Sequence, residues 1–123
     1  MTTKLEKGKL KRMRRILAAI IELTEAMAED WCIEYPRYIA GELGDDPHAF
    51  LSLATMRHKM VNMGTDSEML LQTVALVDKK FADAQYKKLL KARDIVMVHD
   101  AHFKGASEKY QAESEKRKQS VEH

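Results

Sequence analysis

Apolar side chains recur every three or four residues along most of the chain, and no stretch alternates apolar with polar residues. That spacing is typical of α-helices with one buried face, whereas alternation would indicate strands. Only two Pro and five Gly interrupt the pattern. The sequence therefore predicts an all-α fold, a small helical bundle.

The first helix is predicted over residues 4–33. Its apolar row is Met13, Leu17, Ile20, Thr24, Met27 and Trp31. Ile16 and Leu23 widen this row enough for burial against more than one neighbour. The pair Tyr35-Pro36 is expected to end the helix, because the residue before a proline avoids helical angles.

A shorter helix is predicted over residues 47–63. Asp46 is placed to cap it, Pro47 takes the first helical position, and Gly64 is expected to end it. Thr65 and Glu68 have the spacing of a capping box, so the next helix is expected to start at once.

The third helix is predicted as one rod over residues 66–104, ending before Gly105. Its apolar row changes register between Ala84 and Leu89. At 1.5 Å per residue the rod would be about 57 Å long, so it would need another helix or another copy of the chain along its length. Residues 1–105 are predicted as one domain, and residues 106–123 as a polar tail that is either a helical extension or disordered.

The charge is segmented along the chain although the net value is only +2. Residues 1–15 carry seven basic side chains against one acid, and residues 16–56 carry eight acids against one base. The only cysteine is Cys32, so no internal disulfide can form, and no stretch approaches the about 20 apolar residues of a membrane span. We expect a cytoplasmic protein without membrane partners.

The sequence contains no motif that specifies a reaction. His99 and His102 have a metal-ligand spacing, but neither has a Glu three residues before it, and His99 lies on an apolar row. Cys32 lies in an acidic stretch, which raises the pKa of a thiol, and no glycine-rich phosphate loop is present. We therefore predict a non-catalytic protein with no metal and no cofactor.

Met56, Met60 and Met63 form a row, with Met69 beyond it. Flexible thioethers suit surfaces that accept varied apolar partners, but methionine is also a general filler of cores. Core filling is the interpretation that we favour.

The basic start of the chain gives the clearest functional signal. It comprises Lys7, Lys9, Lys11, Arg12, Arg14 and Arg15. These residues could bind nucleic-acid phosphates without sequence specificity, or they could dock on acidic residues of a partner subunit, such as residues 16–56. A helix-turn-helix is excluded, because the helix starting at Asp66 would bring acidic residues to the phosphates.

The best candidates for binding a protein partner are Trp31, Tyr35, Arg37 and Tyr38, because aromatic residues and arginine dominate interface energetics. Closure of the bundle core is the alternative role for the same residues. We predict a helical protein–protein interaction module (an adaptor, regulator or inhibitor) that self-associates as a dimer. A nucleic-acid-binding accessory protein is the second hypothesis.

Overall fold

The computed structural model describes residues 4–44 and 47–122, and every element in these ranges is an α-helix. The four helices are α1 (Lys4–Ile39), α2 (Pro47–Val74), α3 (Lys79–Met97) and α4 (Asp100–Glu122). The all-α bundle predicted from the sequence is confirmed. α1, α2 and α3 pack on one another in an up-down-up arrangement. α4 follows α3, and Phe103 and Tyr110 in its first half contact aromatic rings of α1 and α2.

The core forms because each of the first three helices buries one row of residues at alternating steps of three and four. Such a row is the seam of a left-handed bundle. The row of α1 is Leu17, Ile21, Thr24, Ala28, Trp31 and Tyr35. The row of α2 includes Phe50, Leu53, Met60, Ser67, Leu71 and Val74, and that of α3 includes Ala82, Gln85, Leu89, Ala92 and Val96.

The expected stop at Tyr35-Pro36 is wrong, because α1 runs through Pro36 to Ile39. A proline inside a helix costs about 3 kcal/mol. Here the ring of Pro36 faces solvent, while Tyr35 before it is completely buried. Burial of Tyr35 therefore offsets the lost hydrogen bond. The helix ends where Gly41 takes a φ of 79° and Glu42 N–H donates to the Arg37 carbonyl, a Schellman-type ending.

Pro47 begins α2 as predicted, while the Asp46 cap lies outside the described residues. The expected end at Gly64 is wrong, because the helix continues to Val74. Glycine inside a helix costs about 1 kcal/mol, and burying Leu71 and Val74 on the same row stabilises the chain by more than that. Thr65 and Glu68 consequently lie within a helix and cap nothing.

The continuous rod over residues 66–104 is also wrong. The chain reverses direction at residues 75–78, where Asp78 caps α3 by accepting a hydrogen bond from the Phe81 N–H at 3.1 Å. A second break falls at Val98–His99, where the His99 N–H donates to the Val96 carbonyl, three residues back. The helix does not end at Gly105, because α4 passes through it to Glu122.

Candidate interaction surfaces

An aromatic cluster closes the end of the bundle where α1, α2 and α4 meet. Trp31 and Tyr35 stack at 4.5 Å between ring centroids, and Phe103 of α4 meets both rings edge-on at 5.9 Å. The indole N–H of Trp31 donates to the Leu53 carbonyl at 2.9 Å. The Tyr35 hydroxyl shares a hydrogen bond of 2.7 Å with Nδ1 of His102.

The four residues predicted to bind a partner differ in burial: two are buried and two reach the surface. Trp31 and Tyr35 have no exposed surface, which favours the alternative role of closing the core. Arg37 is exposed and pairs with Glu42 and Glu34 at 3.2 Å each; the hydrogen bond to Glu42 and the charge of Glu34 raise its pKa. Tyr38 is half-buried and contacts Tyr35. Of these four residues, only Arg37 and Tyr38 can therefore contact a partner. Partner binding stays a prediction for both.

Arg57 of α2 was not identified from the sequence. Its guanidinium lies 5.4 Å from the Trp31 ring centroid and 4.5 Å from that of Phe103, and it pairs with Asp100. It thereby ties α2 to α1 and α4. Its Nη1 is buried and has no acceptor among the described residues. The available signal was its position, since Arg57 lies four residues after Leu53 and three before Met60 on the buried row.

Burial in this cluster shifts two pKa values. It raises the pKa of Tyr35 to about 12, with a further contribution from Tyr38. It also raises the pKa of the Cys32 thiol, against the opposing effect of the Arg57 charge. The Cys32 Sγ donates to the Ile95 carbonyl at 3.4 Å. Both side chains are thus held in their neutral, packed form.

A groove runs between α2 and α3 and reaches down to α1. It encloses a cavity of about 360 Å³. Its floor includes four small residues, Thr24, Ala28, Gly64 and Ala92, which lie among the larger buried side chains of Met60, Leu89 and Val96. A Cβ built on Gly64 meets no atom within 4 Å. The groove exists because residues too small to fill the space occupy positions where bundles usually carry leucine or isoleucine.

Apolar side chains line the rim of this groove and remain open to solvent. Val61 on α2 is 53% exposed and Met97 on α3 is 54% exposed, with Tyr86 also exposed. Four charged residues also line the groove: Arg57 and Asp100 pair with each other, whereas Glu68 and Arg93 take part in no ion pair with a described residue. The α2–α3 groove therefore offers an apolar surface flanked by one free carboxylate and one free guanidinium.

The predicted basic residues lie at the start of α1, at the end of the bundle opposite the aromatic cluster. Arg14 is half-buried and pairs with Asp78 at 3.0 Å. The other five (Lys7, Lys9, Lys11, Arg12 and Arg15) contact solvent. The Arg14–Asp78 pair brings the first residues of α3 to the same end, so Lys79 and Lys80 add to this basic surface.

The histidines and methionines singled out in the sequence lie mainly in packed surroundings. His99 meets the Trp31 and Tyr35 rings edge-on, and within residues 4–44 and 47–122 no three His, Cys, Asp or Glu side chains are grouped closely enough to hold a metal ion. Met60 is buried, while Met56 and Met63 are half-buried and Met69 is 63% exposed. In the same ranges, no helix is long and apolar enough to cross a membrane.

Comparisons of this chain with protein-family models, with curated proteins and with solved structures found no match. The functional argument consequently rests on the surfaces described above.

Proposed function

We propose that the protein is a non-catalytic, self-associating interaction module whose α2–α3 groove receives an amphipathic helix of a partner protein in the cytoplasm. The observation that carries this proposal is the groove itself. Small residues on its floor leave open space, and its rim is apolar. Helices bind such grooves by inserting large side chains at helical spacing. A partner helix would complete a four-helix bundle and cover Val61 and Met97.

The free charges define the chemistry of that partner. Glu68 lies toward the turn at residues 75–78, and Arg93 lies about two helical turns from Tyr86, nearer the middle of the groove. A partner helix with a basic residue near Glu68 and an acidic residue near Arg93 would pair both. Adaptors, regulators and inhibitors all act by this type of contact.

Photo-crosslinking in cells that naturally produce the protein tests the groove. A benzophenone side chain at Val61 should yield one discrete adduct with a different protein. The same group at Lys59, which is exposed on another side of α2, should yield none. Absence of an adduct at Val61, or an adduct made only of two copies of this chain, would contradict the proposal.

Filling the groove provides the second arm of the test. Gly64→Leu places a side chain in the cavity and should abolish the Val61 adduct. Gly105→Leu is the matched control, because Gly105 is also a helical glycine with open space around its Cβ, on α4. An adduct that survives Gly64→Leu would exclude the groove as the binding site.

Nucleic-acid binding by the basic end is the second candidate function, because five of the six predicted basic side chains are exposed beside Lys79 and Lys80. Fluorescence anisotropy with duplex and single-stranded DNA at two salt concentrations tests it. Binding should weaken steeply with salt, and joint replacement of Lys11, Arg12 and Arg15 by Gln should abolish it. Replacing Lys116, Arg117 and Lys118 on α4 is the control. No binding at low salt would exclude this function.

A further inference from the structure

α1 carries a second row of seven-residue spacing that the bundle does not cover. The row consists of Ile16, Ala19, Leu23, Ala26, Asp30 and Ile33, at alternating steps of three and four. All six side chains are exposed, and the three large apolar ones are 53–63% exposed. We call it the outer row of α1, in contrast to the inner row of Leu17, Ile21, Thr24, Ala28, Trp31 and Tyr35.

The composition of the outer row suits contact with another helix. Large apolar residues alternate with alanine at its centre, so two such helices can approach closely with a large side chain packing over a small one. A single helix lying in water would gain nothing from an apolar row at the repeat of a coiled coil. No residue of the outer row lines the α2–α3 groove.

The charges at the two ends of the outer row are opposite. Lys9 and Arg12 extend the row toward the start of α1, and Asp30 lies near its other end. None of the three forms an ion pair with any residue that the structure describes. Arg15 and Glu29, one position before Ile16 and Asp30, repeat this polarity on the flank.

We propose that a second copy of the chain covers the outer row, with the two α1 helices antiparallel. The two-fold axis passes between the outer rows at the height of residue 21 along the helix. This arrangement pairs Arg12 of each copy with Asp30 of the other. It also sets Ile16 opposite Ala26 and Leu23 opposite Ala19. A parallel pair would instead place Arg12 beside Arg12 and Asp30 beside Asp30, so the charges select the antiparallel orientation.

The inference specifies the self-association that belongs to the proposed function, and it uses a different face from the groove. The two can fail separately. Gly64→Leu should leave the dimer unchanged while it abolishes the groove adduct. If Gly64→Leu dissociates the dimer, the groove and not the outer row holds the two copies together, and the inference is wrong.

Sedimentation equilibrium of charge-reversed full-length chains tests the pairing. Arg12→Asp and Asp30→Arg should each weaken the dimer about tenfold, because each brings like charges together twice in the two-fold assembly. The chain that carries both substitutions should dimerise like the wild type, since the pairs are restored in reverse. Two single variants with unchanged affinity, or a double variant weaker than either single one, would overturn the antiparallel arrangement.

A second pair of variants tests the apolar contact. Ile16→Ser with Leu23→Ser should give a helical monomer at every concentration. Leu76→Ser with Val77→Ser is the matched control and should remain dimeric, because these two side chains are exposed at the turn between α2 and α3. Circular dichroism confirms that each variant is folded. A wild-type chain that stays monomeric at millimolar concentration, or a dimer that survives the first pair, would refute the inference.

Discussion

The inner and outer rows of α1 have the same spacing and similar apolar residues but opposite surroundings. Leu17 on the inner row is 1% exposed, whereas Leu23 on the outer row is 53% exposed. Trp31 on the inner row is fully buried, whereas Ile33, two residues later on the outer row, is 63% exposed. One helix therefore presents two seams, and only one of them is satisfied within the chain.

The difference shows what an amphipathic pattern can and cannot specify. Periodicity identifies the residues that gain free energy from leaving water, but not the molecule that covers them. The inner row is covered by α2 and α3 of the same chain.

The sharpest comparison replaces the same residue type on each row. Leu17→Ala should lower the free energy of unfolding by about 2–5 kcal/mol, because it leaves a cavity in a packed core. Leu23→Ala should change it by less than about 0.5 kcal/mol at concentrations where the chain is monomeric. Urea unfolding followed by circular dichroism measures both, and equal losses would show that the two rows do not differ as described.

Alkaline pH should lower the free energy of unfolding through ionisation of Tyr35 on the inner row. Its pKa is raised to about 12, above its value in the unfolded chain, so the neutral phenol favours the fold and this contribution is lost as pH rises through that range. We expect the fold to lose about 2–3 kcal/mol between pH 10 and 12. In Tyr35→Phe this loss should be absent. An equally steep loss in that variant would assign the effect to other groups.

Filling the groove should stabilise the bundle. Gly64→Leu should raise the free energy of unfolding by about 0.5–1 kcal/mol, because leucine favours the helix and the new side chain has open space. Chemical denaturation measures the change. A destabilised variant would mean that the space beside Gly64 is closed.

The smallest expected effect concerns Glu22, which lies on the flank of the outer row near the two-fold axis. In the antiparallel dimer this carboxylate approaches its own copy, and like charges at such spacing cost a few tenths of a kcal/mol. Glu22→Gln should tighten the dimer about twofold in sedimentation equilibrium. A weakened dimer would place the axis elsewhere.

Periodicity was sufficient to predict the parts of the fold that burial controls. The helical class and the buried positions Leu17, Thr24 and Trp31 followed from it, while the start of α2 at Pro47 followed from the helix-start preference of proline. The helix ends did not, because they were inferred from Pro36, Gly64 and Gly105 alone. A local cost of about 1–3 kcal/mol is smaller than the gain from burying Tyr35 next to Pro36 and from burying Leu71 and Val74 beyond Gly64.

The reversal at residues 75–78 was missed for a related reason. It contains neither Gly nor Pro, and its Leu76 and Val77 continue the apolar pattern while being exposed. The register change expected between Ala84 and Leu89 does not mark the reversal, because α3 is unbroken there and its buried row runs regularly through Ala82, Gln85 and Leu89. The groove could not be predicted either, since small core residues on three helices must first be brought together.

Distances between spin labels in the dimer test the outer row most directly. Labels are attached to Cys introduced at Lys11 or at Glu22, in chains whose Cys32 is replaced by Ser. The antiparallel pairing predicts a separation along the helix of about 30 Å at position 11 and only a few Å at position 22, from the rise of 1.5 Å per residue. Short, equal distances at both positions, or no coupling at either, would contradict it.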